Sequence, residues 1–190
     1  MAANLGWKLA LVSRGSANLE PLLDSYSIER SEVGRQVLAN AGHLTAMATL
    51  RSGLLQELRN HVASLVFGLS PVRRAMTNML EELSIGYPRS PLTQAGGHHR
   101  SSPAAGERAP TLGIDPPVGS GDTPRFALFA PSDPASASLI ARHRDLLEPQ
   151  SRPPFAEGGM WLVRPDGYVA IAASRGEQEK ISAYLDRLAP

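Results

Sequence analysis

Apolar residues recur at helical spacing through the first part of the chain, from residue 4 to about residue 83. Positions i, i+3, i+4 and i+7 lie on one face of an α-helix, so residues with this spacing form an apolar stripe. Leu19, Leu22, Leu23 and Tyr26 have this spacing, and two similar stripes with steps of four, four and three residues follow: Val33, Val37, Ala41 and Leu44; and Leu54, Leu58, Val62 and Leu65. The pattern predicts a helical N-terminal part.

Glycine and proline indicate where these helices begin and end. Glycine lowers helix propensity, so we expect several helices with breaks between them rather than one long rod. The glycines concerned are Gly34, Gly42, Gly53 and Gly68. Ser70 followed by Pro71 predicts an N-cap and a first-turn proline. The helix that they open would turn one set of residues inward, namely Val72, Met76, Met79 and Leu83.

Residues 89–124 are rich in Pro, Gly and Ser and show little apolar periodicity. This composition predicts a linker or an extended crossing segment. A loop of this length is uncommon inside a compact domain, so we place a domain boundary here. The predicted organisation is a helical domain over residues 1–88, a linker over 89–124 and a C-terminal domain over 125–190.

The last part of the chain alternates strand and helix signals. Residues 125–130 (RFALFA) form a strand candidate, and residues 135–147 predict a helix that starts near Ser132 or Asp133. Residues 177–188 predict a closing amphipathic helix. Its apolar face carries Ile181, Tyr184, Leu185 and Leu188.

A β-hairpin is predicted between these two helices. Two short apolar runs, residues 160–163 and 168–172, flank the sequence RPDG at residues 164–167. Pro-Asp-Gly is a strong turn signal, and Gly167 would supply the positive φ that the turn needs. The order strand, helix, hairpin, helix is that of a small α/β layer similar to half or more of a thioredoxin-like domain.

Charge and cysteine content exclude several classes of protein. The 190 residues include 19 Lys and Arg against 18 Asp and Glu, a net charge of +1. Nucleic-acid binders normally show a basic face or tail, and polybasic runs hold anionic membranes, so we expect neither partner. The absence of cysteine excludes disulfides, thiolate nucleophiles and Cys-ligated zinc.

Neither apolar run of the chain has the form of a targeting or membrane segment. Lys8 interrupts residues 5–12, where no Ala-x-Ala site follows, and residues 63–69 are far too short to span a bilayer. A cytoplasmic protein is expected.

Five motifs give the chain a resemblance to the class A FAD-dependent aromatic-ring hydroxylases. Residues 3–10 (ANLGWKLA) resemble the helix after the family's second flavin-binding motif, and residues 22–30 (LLDSYSIER) resemble its Leu-Leu-x-Ser-Tyr-x-x-Glu-Arg helix. Residues 83–88 (LSIGYP), 106–110 (GERAP) and 162–170 (LVRPDGYVA) are similar to three later segments of the family, in the same order. The five segments together span nearly the whole chain.

The resemblance implies an α+β protein of two parts. The helices would be the C-terminal helices of a flavin-binding domain, followed by a small thioredoxin-like domain often used at the dimer interface. The subgroup with the greatest similarity is that of phenol, pentachlorophenol and polyketide hydroxylases, whose last domain lacks a redox Cys pair. The implied cofactor is FAD, and the implied activity is NAD(P)H-dependent hydroxylation of an aromatic ring.

Two motifs of the family have no counterpart in this sequence. These are the Gly-x-Gly-x-x-Gly turn that places the flavin diphosphate on a helix N-terminus and the Gly-Asp motif that reaches the ribityl chain. We therefore expect a C-terminal portion without independent activity, from a truncated gene, a split gene or a misplaced start codon. The aromatic substrate stays open.

Asn4, Trp7, Glu29 and Arg30 belong to the first two motifs of the resemblance. In the resemblance, Asn4 lies near the end of the flavin ring, and Trp7 packs its helix against the nucleotide-binding layer; the simpler interpretation is that Asn4 is a helix residue without a ligand. Glu29 and Arg30 are expected to form a structural ion pair with neighbouring helices. We assign no catalytic, cofactor-binding or metal-binding residue.

Several polar motifs have simpler interpretations than a site. The pair His98 and His99 has no third ligand at metal spacing and predicts a solvated loop. The single histidines are expected on the surface or in the core; they are His43, His61 and His143. Residues 119–122 (GSGD) lack the preceding strand and following helix of a phosphate-binding loop.

A second hypothesis belongs to a different class of function. The chain could be a stand-alone, non-catalytic interaction or dimerisation module. Apolar faces left exposed on its helices would then form the contact. The expected partners are a second copy of the chain or a chain that carries the flavin domain.

Overall fold

The computed structural model describes residues 2–48, 86–94, 103–110, 113 and 116–190. Its contacts divide the chain into two compact units, one of Met1–Glu29 with Gly86–Pro190 and the other of Arg30–Ile85. The division into domains over residues 1–88, 89–124 and 125–190 stays a prediction.

Two helices open the chain, as the periodicity predicts. Helix α1 spans Ala2–Ser13 and helix α2 spans Leu19–Ala48. The turn between them is closed by the amide of Gly15, which adopts φ +67° and donates to the carbonyl of Val12 over 2.9 Å. A left-handed glycine is a common way to end a helix because it has no Cβ to clash.

The expected breaks in the second helix are wrong within the described residues. Helix α2 runs for 30 residues without interruption through Gly34 and Gly42. Glycine in a helix costs about 1 kcal/mol relative to alanine, which weakens a long helix without breaking it. Gly53, Gly68 and the helix predicted after Ser70 lie outside the described residues.

Three antiparallel strands form a sheet in the order β1-β2-β3. Strand β1 is Ala127–Phe129, β2 is Gly159–Val163 and β3 is Val169–Ser174. The predicted hairpin is confirmed: Gly167 has φ +85°, and its amide donates to the carbonyl of Arg164 over 2.9 Å. A register shift at Leu162 and Val163 bends the β2–β3 pair.

Two further helices of the described residues are also those that the sequence predicts. Helix α3 spans Pro134–Arg142, and the Asp133 side chain caps it by accepting from the amide of Ser136 over 2.9 Å. It ends at Arg142, with His143 as its C-cap, several residues before the predicted end at residue 147. Helix α4 spans Gln178–Leu188 and buries the predicted apolar face. The described residues therefore form a mixed α+β structure.

Each face of the sheet carries its own core. One core brings Trp7, Leu11 and Leu22 of the first two helices together with the buried faces of α3 and α4. The other core contains Phe129, Trp161 and Val163, whose side chains alternate with those of the first face. The first 29 residues are thus packed into the same unit as the sheet.

The described parts of the Pro- and Gly-rich segment pack along the sheet. The amide of Gln94 donates to Ala170 and the amide of Ala109 donates to Gly167, each to the carbonyl over 2.9 Å. The Trp161 indole donates to the carbonyl of Pro103 over 2.9 Å. Among the helices described, none is long and apolar enough to cross a membrane.

Candidate functional site

A carboxylate buried in α2 is the centre of the polar core. The side chain of Glu29 is fully buried and accepts hydrogen bonds from four residues. The donors are Asn4 Nδ2 at 2.8 Å, Lys8 Nζ at 2.9 Å, Ser90 Oγ at 2.5 Å, and Arg164, whose two terminal nitrogens lie at 2.5 and 3.2 Å. We call these residues, with Ser25 and Asp166, the Glu29 cluster.

Helical spacing explains how the two helices present the cluster. Asn4 and Lys8 lie four residues apart on α1, and Ser25 and Glu29 lie four residues apart on α2, so each pair shares one face. Lys8 Nζ also donates to Ser25 Oγ over 2.9 Å. The face of α1 that buries Trp7 therefore also buries a lysine.

The β2–β3 turn supplies the second cation and the second carboxylate. Arg164 is fully buried and binds Glu29 in a forked, two-nitrogen geometry. Its Nε and one terminal nitrogen also donate to Asp166 of the same turn, at 3.0 and 2.6 Å. Asp166 in turn accepts from Asn4 Nδ2 at 3.1 Å. Two cations and two anions thus balance within one network.

Aromatic rings enclose the guanidinium of Arg164. Its Cζ lies 5.5 Å from the ring centre of Trp7, 5.3 Å from that of Tyr87 and 5.8 Å from that of Tyr168. Cations within about 6 Å of a ring face gain electrostatic attraction from it. The rings also exclude water, which strengthens the ion pairs inside.

The charges of the cluster shift the pKa values of its members. Burial opposes ionisation of Glu29, but Arg164, Lys8 and Ser90 outweigh it and lower the pKa of Glu29 to about 2. Burial lowers the pKa of Lys8 against the opposing effect of Glu29. Burial would lower the pKa of Arg164 as well, but Asp166 and Glu29 raise it. The ionised carboxylate and guanidinium are therefore the stable forms.

Neither the Glu29 cluster nor the other described residues contain a group of three or more His, Cys, Asp or Glu side chains that could hold a metal ion. His143 is buried and lies 2.8 Å from Ser182 Oγ through its Nε2. Burial lowers the pKa of His143.

Comparisons of sequence and of structure relate this chain to the same group of known proteins. Residues 2–41 match the FAD binding domain family. The 6-methylpretetramide 4-monooxygenase of Streptomyces rimosus is 28% identical over 98% of this chain and 40% of its own length. The pentachlorophenol 4-monooxygenase of Sphingobium chlorophenolicum is 31% identical over 87% of this chain and 30% of its own length.

A solved structure extends the comparison to the fold. The anhydrotetracycline hydroxylase of Streptomyces rimosus superposes with a TM-score of 0.66 at 25% identity, covering 99% of this chain and 39% of that one. The chain is therefore a class A FAD-dependent aromatic hydroxylase-like protein. The predicted resemblance is confirmed. The hydroxylase-like chain spans well under half the length of these relatives.

The described residues do not by themselves fit a complete flavin site. A diphosphate is held by main-chain amides at the start of a helix, whereas the cationic donors of the Glu29 cluster are engaged with carboxylates. Two buried atoms of α1 nevertheless lack a hydrogen-bond partner, Asn4 Oδ1 and Trp7 Nε1. Both lie within the segment that matches the FAD binding domain family.

The structure places the weighed residues as follows. Asn4 and Glu29 come together in the hydroxylase-like chain, and Trp7 packs edge-on against Phe126 with ring centres 5.5 Å apart. The ion pairs of Glu29 are with Lys8 of a neighbouring helix and Arg164 of the hairpin, and they are buried rather than exposed. His61, His98 and His99 lie outside the described residues, and His43 is a residue of α2.

Sequence analysis did not single out five members of the cluster: Lys8, Ser25, Ser90, Arg164 and Asp166. A usable signal was present for two of them. Lys8 stands inside an otherwise apolar run, and Arg164 directly follows a strand predicted to be buried. Charged residues in such places are rarely buried unless they are paired. Residues 119–122 have another explanation, since a Cβ on Gly119 would lie 2.2 Å from the carbonyl oxygen of Pro165.

Proposed function

We propose that the chain is the C-terminal portion of an FAD- and NAD(P)H-dependent aromatic-ring monooxygenase and has no independent activity. Its role would be to join the flavin domain to a small C-terminal domain. One observation carries the proposal: the Glu29 cluster binds the helices that match the FAD binding domain family to the β2–β3 hairpin. The substrate would be an aromatic compound, as the names of the relatives suggest.

The proposed division of labour follows from that observation. When bound, the flavin would supply oxygen transfer to an activated ring, and the protein would supply position and exclusion of water. Residues 1–88 would complete the flavin domain, residues 89–124 would cross to the last domain, and residues 125–190 would form a thioredoxin-like domain. Lys8, Glu29 and Arg164 would fix the orientation of α1 and α2 relative to the β2–β3 hairpin.

Asn4 and Trp7 support a further contact at the face of α1 that carries them. A buried acceptor or donor without a partner costs free energy, and each of these residues has one such atom. A flavin ring or the rest of a flavin domain could provide the missing partners. We assign neither residue a catalytic role.

The test is a chimera in which this chain replaces the aligned part of the pentachlorophenol 4-monooxygenase. We expect the chimera to retain FAD and to oxidise NAD(P)H with hydroxylation of the aromatic substrate. The isolated chain serves as the comparison and should leave the visible spectrum of added FAD unchanged. Stoichiometric FAD binding and turnover by the isolated chain would contradict the proposal, as would a well-folded chimera that holds no flavin.

A second candidate function rests on exposed apolar side chains of the first two helices. Leu9, Leu19 and Ile28 are large and 45%, 52% and 46% exposed. These positions favour a surface for self-association or for a partner chain that carries a flavin domain. Light scattering on the isolated chain tests self-association, and a monomer at all concentrations would reject the homodimer.

A further inference from the structure

A groove of about 570 Å³ lies beside the second core of the sheet, and none of its described lining residues belongs to the Glu29 cluster. Phe129 and Phe155 line it, together with prolines such as Pro110 and Pro153. This volume is within the range of small-molecule sites, which are mostly apolar with a few polar groups that fix orientation. The groove has that composition, because three charged side chains complete its lining: Arg125, Glu148 and Arg152.

Two of these three charges neutralise each other. Arg152 donates to the Glu148 carboxylate through Nε at 2.6 Å and a terminal nitrogen at 2.8 Å. Its other terminal nitrogen donates to the carbonyl of Pro116 over 2.7 Å. Arg152 is therefore held in one position, and its charge is already balanced within the wall of the groove.

Arg125 is different, because its charge is not balanced by any described residue. It forms no hydrogen bond or ion pair within the part of the chain that the structure describes, and its Nε is buried without a partner. A buried N–H without an acceptor is costly and is seldom left so in a folded protein. The described lining of the groove thus carries one net positive charge at a donor that lacks an acceptor.

The aromatic side of the groove is fixed in place. The rings of Phe129 and Phe155 are stacked, with centres 4.3 Å apart and planes inclined by 21°. Phe155 also meets Trp161 edge-on at 5.4 Å. Phe155 is only partly buried, so its ring remains available to a ligand. A flat apolar group stacks on such a ring without ordering new side chains.

We propose that this groove is a binding site for a small aromatic carboxylate. The ring of the ligand would lie against Phe155, and its carboxylate would accept from Arg125. Charge complementarity selects an anion, and the fixed aromatic wall selects a flat body. The site is separate from the proposed flavin chemistry and does not depend on it.

The probe is 2-naphthoate, titrated into the intact chain by isothermal calorimetry. Its neutral analogue 2-naphthamide has the same ring system without the charge. We expect saturable binding of one naphthoate and binding of the amide at least about tenfold weaker, a difference of about 1.4 kcal/mol. Raised salt should weaken naphthoate binding and leave amide binding almost unchanged.

Matched variants locate the site. Arg125→Gln should weaken naphthoate binding at least about tenfold and abolish the preference for naphthoate over the amide. Phe155→Leu should weaken both ligands, since it removes the stacking surface. Arg144→Gln is the control, because Arg144 is exposed, lies outside the described groove lining and makes the same change in net charge.

Each outcome decides the matter. If naphthoate does not bind to the wild-type chain, the proposal is rejected. The same result is expected if another segment of protein fills the groove. Equal losses in Arg125→Gln and Arg144→Gln would show only general charge attraction and would also reject it. Circular dichroism and thermal unfolding of each variant establish that a loss of binding is not a loss of fold.

Discussion

The Glu29 cluster allows a quantitative test of what holds the first two helices to the sheet. Glu29→Gln keeps the shape of the side chain and removes its charge, which leaves Lys8 and Arg164 buried with only Asp166 as a counter-ion. Breaking a buried pair by removing one partner typically costs about 3–5 kcal/mol. The whole free energy of unfolding of a domain is only about 5–15 kcal/mol. The variant should therefore be at the margin of folding.

Urea denaturation followed by tryptophan fluorescence measures the loss, because Trp7 and Trp161 are both buried. Glu32→Gln is the control on the same helix: Glu32 pairs with Arg35, whose side chain is 64% exposed. Exposed pairs are worth about 0–1 kcal/mol, so the control should unfold close to the wild type. The reasoning is refuted if both variants lose the same stability.

A milder variant keeps the test informative if Glu29→Gln does not fold, and a double variant extends the test if it does. Ser90→Ala removes a single donor to Glu29, at a cost of about 1–3 kcal/mol. Arg164→Met combined with Glu29→Gln removes both members of the central pair. The double variant should cost less than the sum of the single ones, since residues of one network couple by about 0.5–3 kcal/mol. Strict additivity would mean that the two side chains do not act together.

Three further predictions concern pH and backbone. The pKa of Glu29 is about 2 in the folded chain against 4.5 for the free side chain, so its stabilisation is present above pH 4.5 and is lost as pH falls towards 2. The loss is about 3 kcal/mol; urea midpoints measured across that window should fall less steeply in Glu29→Gln. Gly167→Ala should lower the free energy of unfolding by about 1 kcal/mol, because φ is +85° there. Gly34 lies in open space on α2, so Gly34→Ala should raise the free energy of unfolding by up to about 1 kcal/mol. Thermal unfolding measures both. Asp133→Ala removes the N-cap of α3 and should cost about 1 kcal/mol in the same assay, with an unchanged midpoint arguing against the cap.

Local signals predicted the elements of this chain well. The helical stripe of residues 19–26, the Pro-Asp-Gly hairpin and the closing helix all depend on spacing within a few residues, and the structure confirms them. The break at Gly34 and Gly42 was wrong because propensity is a small local cost, whereas the hydrogen bonds of a helix continue on either side.

The polar core was beyond the reach of local reasoning. Glu29 is 25 residues from Asn4 and 135 residues from Arg164. Such a pairing depends on how the hairpin packs on the helices. Residue spacing along the chain does not predict it. Glu29 was recognised as one member of an ion pair, but its buried state and its partner on the hairpin depend on tertiary packing.

The small sheet has one consequence for how the chain meets other proteins. Outside β3, the amides of Gln94 and Gly106 donate to Ala170 and Val169. Outside β1, the Phe126 amide donates to Leu146 and its carbonyl accepts from Glu148, and the carbonyl of Leu128 accepts from the amide of Arg152. At these positions the borders of the sheet are therefore covered by the chain's own backbone and offer little to an added strand. A partner that meets the sheet there would have to recognise side chains rather than extend it.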